Sequence, residues 1–284
     1  MAATLHISIS AEKVLSIADF PITNSMLTSL VASGLILAFA LWVRLTLKKT
    51  SKPTGVQNLA EMIVDALHNL VQSVTENNKK TMLFFPLIAS FFLFILVNNW
   101  IGLIPGVGTI GFYEKESPKI VESTPSVETP AQSDSTPTPA QAEQAAATTP
   151  LFVPYFRAGT ADINMTLALA LLSVAMIQFF GVYYLKLSYF TKFINFSNPL
   201  NFVVGILEIV SEFSRIISFA FRLFGNIFAG EVLLSVIGFL IPVVAPMPFY
   251  GMEIFVGFIQ ALVFAMLSLV LFNIATVGHG GEHH

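Results

Sequence analysis

The stretch PLNFVVGILEIVSEFSRIISFAFRLFGNIFAGEVLLSVIGFLI, residues 199–241, decides how this chain is read. It is apolar-rich throughout, and 40 helical residues would reach about 60 Å at 1.5 Å per residue. The hydrocarbon core of a bilayer is only about 30 Å thick, so such a helix is either steeply tilted or broken. Within it stand Glu208, Glu212, Arg215, Arg222 and Glu231. At about 100° per residue, Glu208, Glu212, Arg215, Arg222 and Asn226 fall within a sector of about 80°, while Glu231 lies about 140° from Glu208. One side of the helix is therefore polar along most of its length, and Glu231 looks toward a different neighbour. Ionisable groups inside a membrane are costly and face a partner or a water cavity.

Working outward, residues 247–277 form a second long apolar element, joined to the first through Pro242, Pro246 and Pro248. It carries Glu253 and Gln260, seven residues apart and hence nearly in register on one helical face. Three further spans are expected at about 26–47, 82–104 and 162–185. The first ends in Arg44, Lys48, Lys49 and Lys52, the second begins just after Lys79 and Lys80, and the third opens with Asp162 and Asn164 and ends before Lys186 and Lys192. Basic residues collect on the cytoplasmic side, which puts the N-terminus outside and the C-terminus in the cytoplasm. Residues 56–74 differ: Val56, Leu59, Ala60, Ile63, Leu67, Leu70, Val71 and Val74 recur at helical spacing opposite Asn58, Glu61, Asp65, Asn69 and Gln72. Such a helix lies on a surface or against a partner. Residues 113–150, rich in Pro, Ser, Thr, Ala and Gln, are expected to form a disordered external loop without chemistry of their own.

The expectation is an all-α integral membrane protein: an external segment 1–25, then a single membrane domain over 26–284 with one interfacial amphipathic helix and a C-terminal pair of long, strongly tilted helices. Composition agrees. Of 284 residues 55% are hydrophobic and 11% charged, against roughly a quarter charged in soluble domains, and the mean hydropathy is +0.75. A net charge of −3 gives no reason to expect a nucleic-acid partner, and the absence of cysteine excludes disulfides and thiolate chemistry. No basic stretch followed by a short apolar core opens the chain, so no cleaved signal peptide is expected. Nor is there a Gly-x-x-x-x-Gly-Lys-Ser/Thr loop for nucleotide phosphates.

Each charged residue has a plainer reading beside the functional one. Glu212 and Arg215, three apart, can form an intrahelical pair, and Glu208 can be an interfacial residue. Arg222 is harder to dismiss: apolar residues surround it, no acid lies three or four positions away, and a guanidinium does not shed its proton. Glu231 and Glu253 are open to two readings, a proton relay or protonated core residues. The tail Gly278-His279-Gly280-Gly281-Glu282-His283-His284 could bind a metal, although a frayed terminus is the simpler reading and no metal site is expected.

Arg222-Leu223-Phe224-Gly225-Asn226-Ile227-Phe228-Ala229-Gly230-Glu231 resembles the signature of subunit a of bacterial-type F-type ATP synthases, a membrane stator facing a rotating ring of c subunits. Asn99-Trp100-Ile101-Gly102-Leu103-Ile104-Pro105-Gly106, Asp162-Ile163-Asn164-Met165-Thr166, Glu208 placed 14 residues before the arginine, and Gln260 in Phe258-Ile259-Gln260-Ala261-Leu262-Val263-Phe264 are similar to further family segments. The resemblance implies that Arg222 is the essential arginine separating two half-channels, with Asn226 and Gln260 polar neighbours at the rotor interface. It implies an outer half-channel at Glu231 and Glu253, with Asp162 and Asn164 near its mouth, and a cytoplasmic one at Glu208, Ser211 and Glu212. Some relatives have a histidine at one of the paired positions, where both are glutamate here. The implied partners are the c ring, the peripheral-stalk b subunits and the rest of the complex in a bacterial plasma membrane. The implied ion is H⁺, with Na⁺ as the alternative; no cofactor is expected, and ATP chemistry belongs to other subunits.

Two other functions compete for the same residues. An ion-coupled secondary transporter predicts an internal repeat, and none is found in the sequence. A structural membrane anchor leaves the charge of Arg222 without a purpose.

Overall fold

The computed structural model describes residues 11–17, 20–46, 55–104, 106–114, 151–193, 199–241 and 244–277. Lys48, Lys49, Lys52, Pro105, most of the expected external loop, Pro242 and the histidine-containing tail lie outside the described residues. The protein is an all-helical, multi-pass membrane protein, with two small strand hairpins added. Its helices are α1 (Asn24–Thr46), α2 (Val56–Thr75), α3 (Asn78–Gly102), α4 (Ile163–Leu185), α5 (Pro199–Leu240) and α6 (Pro246–Ala275). Among the described residues, all but α2 are long and apolar enough to cross a bilayer.

Element ends follow local chemistry. α3 begins four residues earlier than its apolar run, because the Asn77 side chain accepts a hydrogen bond from the Lys79 amide and caps the helix. Pro86 sits within α3 without ending it, as tolerated where neighbouring helices hold the backbone. α6 starts on Pro246, whose fixed φ and missing N–H suit a first helical position.

The core is aromatic. Phe84, Phe180 and Phe272, from α3, α4 and α6, meet with centroids 4.8–5.8 Å apart, and Phe264 of α6 touches both Phe91 and Phe219. Helices in lipid associate by close packing and interhelical hydrogen bonds rather than by escape from water. Ser173 and Ser268 supply one such bond at 2.8 Å, joining α4 to α6. Helix α6 runs antiparallel to α3: Asn99 donates to the Gly257 carbonyl at one end, while Lys80 donates to Thr276 Oγ1 at the other, 2.8 Å away.

Amphipathic α2 turns Ala60, Leu67, Val71 and Thr75 inward against the bundle, while Leu59, Met62, Ile63 and Val64 stay exposed. Only part of its apolar stripe is covered by the chain itself. Asn273 of α6 donates to the Val74 carbonyl at 3.0 Å, fixing α2 beside the end of α6.

The two hairpins lie at the opposite end of the bundle. Lys13–Ile17 (β1) pairs antiparallel with Phe20–Thr23 (β2), directly before α1, and Gly111–Glu114 (β3) pairs antiparallel with Leu151–Pro154 (β4). Tyr113 and Glu114, read from the sequence as the start of the loop, belong to β3. Residues 155–162 then lead into α4, passing between α1 and α3. Asn24 donates to the Pro154 carbonyl, the Arg157 amide donates to Thr28 Oγ1, and Thr160 Oγ1 donates to Asn99 Oδ1.

Candidate ion path along the two long helices

Helices α5 and α6 are antiparallel neighbours, and their register places the candidate residues. Gln260 Nε2 donates to the backbone carbonyl of Arg222 at 2.8 Å. Further along, the carboxyl of Glu253 lies against the Cα of Gly230. A side chain at position 230 would occupy that space, so the glycine is what lets the carboxyl approach. The seven-residue spacing of Glu253 and Gln260 indeed puts both on one buried face of α6.

Glu231 and Glu253 share a cavity of about 350 Å³ near the hairpin end, lined also by Asn99, Arg157, Ser235 and Tyr250. A space of that size with several polar groups in its lining accommodates several waters. Its charge is not carried by the two acids alone. Arg157, 7% exposed, points its Nε between the Glu231 oxygens at 3.0 and 3.1 Å, and its guanidinium lies 5.8 Å from the Phe228 ring centroid. The sequence reading missed Arg157. Its signal was present: it is the lone basic residue between position 151 and the end of α4.

Asp162 and Asn164 do not line this cavity. Asp162 is buried, and each carboxylate oxygen is engaged: Oδ1 accepts from the Asn164 amide at 3.0 Å and Oδ2 from Ser25 Oγ at 2.7 Å. It caps α4 and pins that helix to the start of α1. Asn164 is exposed on the first turn of α4.

At the far end of α5, Arg215 joins both acids of its neighbourhood. It pairs with Glu212 at 2.5 Å and with Glu208 at 3.6 Å, so the intrahelical pair is present and extends to a triad. Ser211 is half-buried within the same turn. Beside the triad, in the 3-10 segment Lys186–Lys192, Tyr189 is buried and its hydroxyl donates to Gln178 Oε1 at 2.6 Å. Burial first, then the nearby Glu212 charge, pushes the Tyr189 phenol up to about 12.

Arg222 stands between these two polar regions, about 21 Å along the helix from Glu208 and about 13 Å from Glu231 at 1.5 Å per residue. It is exposed on the bundle surface, as is Asn226. Its Nη2 is 3.4 Å from Ser218 Oγ, and among the described residues no carboxylate forms an ion pair with it. Toward Glu231 the helix buries Leu223, Phe224 and Ile227, with Phe224 stacked on Phe228 at 5.2 Å. The polar stripe expected along α5 is thus divided: Glu212 turns inward, whereas Arg222 and Asn226 face out. Gln260 is buried behind Arg222 rather than beside it on the surface. Among the described residues, no group of three histidine or acidic side chains is arranged to hold a metal.

Comparison with known proteins agrees with the resemblance in the sequence. Residues 26–273 match the family described as ATP synthase A chain. Two similar curated proteins are ATP synthase subunit a of Campylobacter jejuni subsp. doylei and of Campylobacter jejuni subsp. jejuni serotype O:6. Each is 28% identical over 255 residues, covering 88% of this chain and 90% of the relative. With a match that runs from the first spanning helix almost to the end of the last, the chain belongs to the ATP synthase A chain family.

Proposed function

We propose that this chain is the proton-translocating stator subunit of a rotary ATP synthase, with Arg222 dividing two half-channels that do not meet. Family membership supports the general role. The observation that carries the finer reading is Arg222 itself: a permanent cation, exposed in mid-helix and without a carboxylate partner among the described residues, between two separate polar regions. An exposed cation at membrane depth needs a counter-charge from outside the chain. A carboxylate on a neighbouring rotor meets that need.

The outer half-channel is the cavity holding Glu231 and Glu253, while Asp162 and Asn164 stand at the start of α4 outside its lining. Glu208, Ser211 and Glu212 open the other half toward the cytoplasm. A positive charge between the two favours ionisation of an approaching rotor carboxylate, which releases its proton to one side. The same charge repels a proton passing straight through. Each elementary charge crossing 100 mV releases about 2.3 kcal/mol, which rotation collects. Asn226, with the exposed apolar side chains of Val204, Leu207 and Phe221, would complete a rotor surface, with Gln260 bracing Arg222 from behind.

Arg44, Lys79, Lys80 and Lys186 lie at helix ends away from the hairpins, which by the positive-inside rule supports a cytoplasmic location for that end. The N-terminus is then outside and the C-terminus inside a bacterial plasma membrane. Residues 26–284 act as one membrane domain, meeting the c ring and the peripheral-stalk b subunits, and ATP chemistry is left to other subunits.

Proton movement in membrane vesicles containing the whole complex tests this reading. Arg222→Ala is expected to abolish ATP-driven pumping while passive flow, measured after the soluble ATPase is stripped away, persists or rises. Wild-type pumping in that variant would return the chain to the anchor reading.

A further inference from the structure

The two cavity carboxylates are placed alike in the sequence but not in the fold. Glu231 receives the Arg157 guanidinium at both oxygens, whereas Glu253 is 5% exposed and rests on Gly230 without an ion pair among the described residues. Arg157 is held in turn. Its amide is bonded to Thr28, its guanidinium lies over Phe228, and the chain just beyond it is tied to α3 through Thr160 and Asn99. A guanidinium keeps its proton at any working pH; Arg157 is buried and Glu231 partly so, and removing one partner of such a pair leaves the other charge uncompensated.

We propose that Arg157 is a positioning residue of the outer half-channel: it holds Glu231 as a fixed, ionised partner and leaves Glu253 as the carboxyl that takes up and hands on the proton. This deepens the stator reading and rests on it. Glu253 accepts a proton from cavity water and passes it toward the rotor carboxylate, becoming an anion again, while Glu231 keeps its charge throughout. Among the described residues, the charged or titratable groups facing this pair are Arg157 from the segment before α4, Tyr250 on α6 and Glu12 from the N-terminal segment, which is near enough to act on Glu231 electrostatically. Arg157 is the cation among them, so the net charge of the cavity turns on it.

The test is ATP-driven pumping as a function of pH in vesicles carrying the whole complex, for wild type, Arg157→Gln, Arg157→Lys, Glu231→Gln, Glu253→Gln, and Arg157→Gln combined with each glutamate change. Arg222→Ala serves as reference. Arg157→Gln is expected to lower pumping about tenfold or more and to move the pH profile of the remainder upward by about one unit, because losing a nearby cation favours the protonated carboxyl. Arg157→Lys should retain much of the rate. Adding Glu231→Gln to Arg157→Gln should restore pumping, since no lone charge is then left, whereas adding Glu253→Gln should not. Should Arg157→Gln fail to assemble, the double variant decides: recovery of the complex and of pumping supports the pair, and no recovery overturns it. Wild-type rate and pH profile in Arg157→Gln, or equal rescue by both glutamate changes, would also overturn it. Wild-type pumping by Arg222→Ala would instead remove the stator reading itself, so the two failures are distinguishable.

Discussion

The carboxyl of Glu253 lies against the Cα of Gly230, so closely that a methyl group there would overlap both carboxyl oxygens. Helix α5 therefore reserves space for an acid on α6. Gly230→Ala is expected to displace Glu253 and slow ATP-driven pumping about tenfold or more, since misplacing a reacting group by about 1 Å can cost two orders of magnitude. The rate should be compared at equal complex content in vesicles. Full activity would show that the exact seat of Glu253 is immaterial.

Neutralising the acids one at a time should be milder than removing Arg222. Glu231→Gln and Glu253→Gln are each expected to reduce proton flux below wild type yet above Arg222→Ala. Passive flow through the stripped membrane sector reads this directly. Unchanged flux in both single variants and in the double variant would take these carboxyls out of the path.

Asp162 has a structural duty that is separable from conduction, because it caps α4 and accepts from Ser25. Asp162→Ala is expected to lower stability by about 1–3 kcal/mol through the lost cap and the unpaired hydroxyl. Asp162→Asn should lose less, since an amide oxygen still caps. Thermal dissociation of the detergent-solubilised complex is the measurement, and equal losses for the two variants would argue against capping as the cause.

Tyr189 gives an alkaline signature. Its phenol, ordinarily near 10, is pushed up to about 12 by burial and by Glu212. The folded state thus favours the neutral ring, so this stabilisation is complete below about pH 10 and is lost as pH rises toward 12. Tyr189→Phe should flatten that decline while costing about 1 kcal/mol near neutrality for the hydrogen bond to Gln178. Heat inactivation of the solubilised complex across that range checks it, and an unaltered alkaline slope would exclude Tyr189 as the source.

The spans were legible because a helix must be apolar for about 20 residues to cross lipid, and that signal survives any tertiary context. The approach of α6 to α5 was legible in part: the seven-residue spacing from Glu253 to Gln260 fixed a face, but not which residues would meet it. Arg157 was not found because it sits in irregular chain, where no periodicity says which way a side chain turns. The hairpins escaped for a related reason, since strands of four or five residues carry too few alternations to be recognised. The division of the α5 stripe could not be read from angles alone. Glu212 turns inward where the chain supplies Arg215 and the Tyr189 segment, while among the described residues Arg222 has no such charged neighbour.

The pairing of Glu114 with Leu151 has a practical consequence. Paired residues on antiparallel strands stand about 5 Å apart, so the polypeptide leaves the bundle after β3 and returns at β4 through a single doorway. The two strand ends hold their own spacing, so a connection of another length could join them without moving a helix. A two-residue Asn-Gly turn could close the same doorway. So could an inserted fluorescent or affinity module, which makes this the natural attachment point for following the assembled complex.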